Sequence, residues 1–198
     1  MSVKVSKLGH VGIAVRDIDR SVKFYTDVLG LRLTEMFRYD ENQMGHGRAV
    51  LSGAFVRSGT DHHCLSIFTL RRAIEPPAEH HFGLHHIAFE MSTSDDLLAL
   101  YRKFKTDEIP IVNARKGGPG NQPRFYGLDP DGNLLEFYWS IDQIGWDGIA
   151  RPYPPIEEIE LEDFDFEGYI EEREKLAAAE QALRGTREHA EASAGNIR

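Results

Sequence analysis

The chain contains two stretches that read as copies of one another, LGHVGIAVRDIDRSVKFY at residues 8–25 and LHHIAFEMSTSDDLLALY at residues 84–101. Each begins with an apolar run typical of a strand, passes through a polar turn with Asp or Ser available as a helix cap, and ends in an amphipathic helix. Because an internal repeat decides the architecture, these copies predict a duplicated module. Their alignment places His10 on His86.

The segments that follow each helix predict three further strands. In the first half these are LRLTEMFRYDE, GRAVLSGAFVR and HCLSIFTL, which are β-rich or alternating and are bounded by turn residues. In the second half a helix runs through about Lys105, a strand lies near residues 111–114, and QPRFYGLD and NLLEFYW are joined by a DPDG hairpin turn at residues 129–132. Both halves therefore predict the order βαβββ.

The predicted fold class is α+β, with two βαβββ modules in one domain. The domain is expected to span residues 5–142, with modules at about 5–72 and 82–142. A further segment, residues 151–198, is predicted to be an acidic and partly helical tail.

Three residues of the repeat are candidate metal ligands. His10 and His86 occupy equivalent places in the first strand of each module, and the alignment of the fourth strands puts Glu136 over Ser66. Alternation along a strand sends neighbouring side chains to opposite faces, so His86 is preferred over His85. Two imidazoles and one carboxylate, with coordination positions left open, form the facial triad of non-haem Fe(II) oxygen chemistry.

Composition limits the classes of partner. A formal net charge of -9 argues against sequence-independent nucleic-acid binding, which needs a basic surface. The single cysteine, Cys64, cannot form an intrachain disulfide, and the sequence shows neither a signal peptide nor an apolar run long enough to span a membrane. A cytoplasmic location, with no nucleic-acid or membrane partner, is therefore expected.

Acidity is concentrated in the tail. Residues 151–198 contain 13 acidic and 6 basic residues, so seven of the nine net negative charges lie there. The stretch RPYPP at residues 151–155 predicts a stiff extended break before this segment. A helix is expected from roughly Tyr169 to Arg184, and the final EHAEASAGNIR is expected to be disordered. Apolar residues of the tail are available to pack on the core or on a neighbouring subunit, and a solvated tail is the alternative. A homo-oligomer is expected.

The paired modules, the GHV and HHIAF runs and the segment FYGLDPDGNLLEFYW together resemble the vicinal oxygen chelate superfamily, which includes glyoxalase, bleomycin-resistance and dioxygenase proteins. Within it the chain is similar to the type I extradiol ring-cleavage dioxygenases, the class of catechol 2,3-dioxygenase, in a single-domain form. The resemblance implies that His10, His86 and Glu136 bind Fe(II), with Mn(II) as the second choice. It implies further that His63 and Tyr126 are catalytic, as acid-base residue and as hydrogen-bond donor.

One departure concerns the substrate. The extradiol signature has a further histidine six to eight residues before its Phe-Tyr pair, and this chain has Gly117, Gly118 or Pro119 there. In the family that histidine contacts the second hydroxyl of the substrate. Here the glycine-rich loop reshapes that wall, with Asn121, Gln122 or Arg124 available as polar contacts. The loop lacks the ending of a phosphate-binding P-loop.

The predicted function is an Fe(II)-dependent extradiol-type dioxygenase, an oxidoreductase of aromatic compound catabolism that uses O2 to cleave a catechol or related dihydroxylated aromatic. A metal-dependent isomerase, epimerase or lyase of the same superfamily is the first alternative. Such enzymes commonly use four protein ligands, and Ser66 stands at the fourth position. A non-catalytic small-molecule-binding module is the second alternative, and the presence of all three ligand-type residues argues against it.

Overall fold

A computed structural model describes residues 7–39, 50–70, 83–143 and 154–175. The first module consists of β1 (Val11–Ala14), α1 (Ile18–Lys23) continued by a π-helical turn (Phe24–Val28), β2 (Arg32–Arg38), β3 (Val50–Arg57) and β4 (Leu65–Leu70). The second module consists of β5 (Ile87–Glu90), α2 (Ser94–Thr106), β6 (Ile111–Lys116), β7 (Arg124–Leu128) and β8 (Leu134–Tyr138). The predicted α+β class and the predicted βαβββ order of both modules are confirmed.

The two sheets have the same internal order. The first is β1-β4-β3-β2 and the second is β5-β8-β7-β6, with a two-residue strand β9 (Glu157–Glu158) added beside β6. In each module the first strand is parallel to the last, where Gly12 is the register partner of Ser66 and Ala88 is the partner of Glu136. The register therefore agrees with the alignment that places Glu136 over Ser66.

Helix α2 covers one face of the second sheet. It begins after Thr93, whose side chain accepts a hydrogen bond from the amide of Asp96 and so caps the first turn. Its buried face includes Phe104, whose ring lies 5.3 Å from that of Phe125 and 5.4 Å from that of Phe137. Side chains alternate along a strand. Tyr126, which follows Phe125, and Glu136, which precedes Phe137, therefore face away from α2.

The hairpin between β7 and β8 links the two modules. Asp129 organises the turn, since its Oδ1 accepts the backbone amides of Asp131 at 2.9 Å and Asn133 at 2.8 Å. The buried Tyr25 hydroxyl, in the π-helical turn after α1, donates to Asp129 Oδ2 at 2.9 Å. Asp131, which is itself almost fully buried, accepts a hydrogen bond from Ser21 of α1. The predicted DPDG turn is confirmed, and it docks onto the helix of the other module.

The described part of the tail contains a helix over residues 166–175. It begins three residues before the predicted start because Asp165 caps it, accepting the amide of Gly168 through Oδ1 at 2.9 Å and the amide of Tyr169 through its backbone oxygen at 3.1 Å. The predicted end at Arg184 and the final EHAEASAGNIR lie outside the described residues. The chain divides into two compact units between Glu158 and Ile159, so β9 belongs to the unit that contains both modules.

None of the helices in the described ranges is long and apolar enough to cross a membrane.

Tyr25→Phe tests the link between the modules. The substitution removes the buried donor to Asp129, and loss of a hydrogen bond to a charged partner is expected to lower the free energy of unfolding by about 2 kcal/mol. Urea denaturation followed by circular dichroism measures the change. Tyr39→Phe, which removes the hydroxyl of a tyrosine with 42% of its surface exposed, is the matched control and is expected to leave stability unchanged. Equal stabilities for the two variants would contradict the assigned role.

Candidate functional site

The face of the second sheet that points away from α2 is polar. One row of register partners crosses its strands as Ala88, Glu136, Tyr126 and Asn113. A second row, two residues further along, consists of Glu90, Tyr138, Arg124 and Arg115. This face therefore collects a carboxylate, a phenol and a guanidinium next to one another, which is the composition of a functional surface rather than of a core.

Glu136 is the buried centre of this face, with only 5% of its surface exposed. The Tyr126 hydroxyl donates to its Oε2 at 2.8 Å, and His86 Nε2 lies 3.0 Å from the same oxygen. Arg124 Nε lies 3.8 Å from its other oxygen, Oε1. A carboxylate buried without partners would be costly. Three side chains of the protein offset that cost here.

Arg124 is almost as buried as Glu136, with 6% of its surface exposed. Its Nε–H donates to the Tyr126 oxygen at 3.2 Å, and its Nη1 donates to the backbone oxygens of Gly117 at 2.8 Å and Gln122 at 3.0 Å. Sequence reasoning named Arg124 only as one of several possible polar contacts. The available signal was its position two residues before Tyr126, which places both side chains on one face of β7.

The glycine-rich loop at residues 117–120 lies where the resemblance would place a further histidine. At Gly117 φ is +79°, and a Cβ there would lie 2.3 Å from the backbone oxygen of Pro155, closer than any real contact. The neighbouring Gly118 amide donates to the Pro154 oxygen at 3.0 Å. The segment that precedes β9 therefore packs directly against the backbone of this loop.

The tyrosines of this face hold their protons firmly. Burial, the hydrogen bond to Glu136 and the charge of Glu136 raise the pKa of Tyr126, with Arg124 acting in the opposite direction. Burial together with the charges of Glu90 and Glu136 raises the pKa of Tyr138. Both phenols are therefore protonated at neutral pH and are available as hydrogen-bond donors.

The first module contributes a second group of side chains. The rings of His10 and His63 lie 4.4 Å apart, and the ring of His63 lies 4.9 Å from that of Phe55. Partial burial and the neighbouring imidazoles of His10 and His62 lower the pKa of His63. His63 is therefore neutral at physiological pH, the state in which an imidazole accepts a proton.

A cavity of about 820 Å³ is lined by the edge strands β1 and β5. His10 and His86 both line it, as do Glu90 and Tyr138. The structure thus brings His86, Glu136 and Tyr126 into one contact group and His10 and His63 into another, with one histidine of each group on this cavity. Among the described residues, no three His, Cys, Asp or Glu side chains lie close enough together to hold a metal ion.

Comparison with known proteins places this site in a family context. The family model described as "Glyoxalase/Bleomycin resistance protein/Dioxygenase superfamily" matches residues 7–137. A 3-methylcatechol 2,3-dioxygenase from Pseudomonas putida is 26% identical over 69% of this chain and 43% of its own length. A glutathione transferase, FosA, from Serratia marcescens is 28% identical over 68% of this chain and 81% of its own length.

Solved structures show the same fold. The trypanothione-dependent glyoxalase I of Leishmania major is 22% identical, has a TM-score of 0.52, and covers 69% of this chain and 88% of its own. The chain spans less than half the length of the Pseudomonas putida dioxygenase. It also matches two biphenyl-2,3-diol 1,2-dioxygenases, and again it spans less than half of their length. These likenesses therefore concern the domain, and the relatives named carry out different reactions.

Gly117→Ala tests the shape of the loop wall. A side chain at this left-handed position, directed at the Pro155 oxygen, is expected to lower the free energy of unfolding by about 2 kcal/mol or more. Gly59→Ala is the control, because a Cβ at Gly59 meets no other atom within 4 Å. Urea denaturation of both variants measures the difference. A loss at Gly59 as large as that at Gly117 would show that the close approach of Pro155 is unimportant.

Proposed function

The chain belongs to the glyoxalase/bleomycin resistance/dioxygenase superfamily, and from its site we propose an Fe(II)-dependent extradiol-type dioxygenase that cleaves a catechol or related dihydroxylated aromatic with O2. The observation that carries the proposal is the contact group of His86, Glu136 and Tyr126, in which an imidazole nitrogen and a phenol meet one buried carboxylate oxygen. Relatives named as dioxygenases of catechol and biphenyl-diol substrates support the reaction class.

The donor set fits a metal of this class in its chemistry, and of the three predicted ligands the structure brings His86 and Glu136 into contact but not His10. His86 Nε2 and Glu136 Oε2 lie 3.0 Å apart, and His10 lines the cavity that His86 also lines. Two imidazoles and one carboxylate are the ligands of non-haem Fe(II), so His10, His86 and Glu136 would hold the metal. When bound, Fe(II) supplies the redox chemistry that allows triplet dioxygen to react with an aromatic ring.

The chain's own groups supply the proton chemistry. The pKa of His63 is lowered, so its neutral imidazole can accept a proton from a substrate hydroxyl as the ring is oxidised. The pKa of Tyr126 is raised, so its hydroxyl keeps its proton; that proton is bonded to Glu136 Oε2 and would reach a reacting oxygen once that bond is exchanged. The two residues come from different modules, His63 from the first and Tyr126 from the second.

The cavity suits a small aromatic molecule. Its volume of about 820 Å³ lies within the usual range for small-molecule sites. Apolar side chains such as Leu84 and Phe89 line it together with the polar His86 and Tyr138. Glu136, Tyr126 and His63 are not among the residues that line it, so the cavity reaches the candidate site through His10 and His86.

A metal-free small-molecule-binding module is the second candidate function. The observation that favours it is that Arg124, Tyr126 and His86 all contact Glu136 without a metal. An isomerase or lyase with four protein ligands has less support, because Ser66, which is 2% exposed, offers only a hydroxyl at the fourth position. We propose further that the protein acts in the cytoplasm as a homo-oligomer.

Anaerobic reconstitution with Fe(II) or Mn(II), followed by oxygen electrode measurements on a panel of catechols, separates these functions. The proposed dioxygenase takes up O2 in proportion to substrate and forms a yellow ring-opened product, with Fe(II) giving the higher rate. Full iron occupancy without O2 uptake on any catechol of the panel would contradict the dioxygenase. Failure to bind either metal would favour the metal-free binding module.

Substitutions assign the roles of individual residues. Glu136→Ala is expected to abolish iron retention measured by metal analysis, whereas Glu90→Ala, which removes an exposed carboxylate from the same face, is expected to retain it. Iron retention by Glu136→Ala would show that the ligand assignment is wrong.

His63→Phe is expected to keep the metal and to lower kcat by about 10²-fold or more, because an acid-base group is lost. His62→Phe removes the adjacent imidazole, which is 51% exposed, and a much smaller loss is expected. Equal losses in the two variants would argue against a specific role for His63.

A further inference from the structure

Arg124 is a buried cation that lies beside Glu136 and Tyr126 of the candidate site. It lies 3.8 Å from Glu136 Oε1 and donates to the Tyr126 oxygen at 3.2 Å. Two backbone oxygens, of Gly117 and Gln122, fix the guanidinium through Nη1. The cation is therefore held in place by the loop, independently of its contact with the carboxylate.

The neighbouring Arg115 offers a direct contrast. It is the register partner of Arg124 on β6, so its side chain lies on the same face. Its carboxylate partner is Glu158 at 3.6 Å, and the two side chains are 36% and 79% exposed. An exposed pair of this kind contributes little to stability, whereas the pair of Arg124 and Glu136 is removed from water on both sides.

The hydrogen-bond directions around Tyr126 follow from Arg124. A guanidinium Nε–H can only donate, so the Tyr126 oxygen must accept from it. The hydroxyl proton is then directed to Glu136 Oε2 at 2.8 Å. The carboxylate thus has a cation near one oxygen and a hydrogen-bond donor on the other before any metal arrives.

We propose that Arg124 is a positioning residue that serves as the internal counter-cation of Glu136, stabilising the carboxylate when no metal is bound and so lowering the affinity of the site for a divalent metal. The proposal rests on the proposed function, because it takes Glu136 as a metal ligand. It explains how this carboxylate stays buried in a protein that must fold before it is loaded.

The sign of the effect on metal affinity separates this role from a purely structural one. A divalent metal at Glu136 has a like charge close to it in Arg124, and it competes with a favourable pair that already exists. Removing the charge of Arg124 destabilises the metal-free state more than the metal-bound state, so the metal binds more tightly. A residue that only maintained the shape of the site would give weaker binding when removed.

Titration with Co(II), an air-stable divalent probe with visible absorption, measures this affinity without turnover. Arg124→Gln is expected to bind Co(II) at least about tenfold more tightly than the wild type, because an unpaired buried charge is costly in its metal-free form. Arg124→Lys keeps the charge and is expected to bind close to the wild-type affinity. Arg115→Gln is the matched control, and its affinity is expected to change by less than about twofold, since its carboxylate partner is exposed.

A double-mutant cycle on the metal-free protein tests the pairing itself and guards against misfolding of one variant. Arg124→Gln and Glu136→Gln are each expected to lower the urea midpoint, whereas the double variant is expected to recover most of the loss because neither charge is left unpaired. Additive losses would overturn the pairing. If the wild type binds Co(II) and Arg124→Gln binds it with equal or lower affinity, this proposal alone is overturned. If the wild type binds no Co(II) while the double-mutant cycle still shows that Arg124 and Glu136 are coupled, the proposed metal site is overturned. The effect of Arg124 on metal affinity is then overturned with it.

Discussion

The hydrogen bond from the buried Tyr25 hydroxyl to Asp129 is the constraint on which the arrangement of the two modules depends. The same carboxylate accepts the backbone amides of Asp131 and Asn133, so it shapes the turn between β7 and β8 while it holds that turn against α1. The register of β8 follows from this turn, and the register sets where Glu136 points. A single buried group thus couples the packing of the modules to the geometry of the candidate site.

Helix α2 determines which face of the second sheet can be polar. Its aromatic residues fill one face with Phe125 and Phe137, and alternation then places Tyr126 and Glu136 on the other. A carboxylate buried on that face needs partners, and Arg124 is held close to it by the backbone oxygens of the loop. Because the backbone oxygens of Gly117 and Gln122 hold Arg124, a change in the shape of this loop is expected to move Arg124 relative to Glu136.

Much of the fold was predictable because its information is local and is present twice. The two copies of the strand-turn-helix pattern and the DPDG turn give the βαβββ order, and confirmation of the register shows that the alignment of Glu136 with Ser66 was sound. The contact between Arg124 and Glu136 was not predictable, because it depends on pairing between strands and on a left-handed backbone at Gly117. Strand β9 was missed because two glutamates have a low strand propensity, and β6 pairs with them opposite Arg115 and Lys116.

The two copies of the module differ at the positions that carry the candidate site. Register pairs Tyr126 with Glu136 in the second module, and the equivalent pair in the first module is Phe55 with Ser66. The second module therefore carries a buried carboxylate with its donors, and the first carries an aromatic ring in contact with His63. For the proposed reaction this asymmetry separates two requirements, since an aromatic substrate needs an apolar surface for its ring and charged groups for its hydroxyls. Two modules with identical side chains at these positions would carry the same chemistry and would meet only one of these needs.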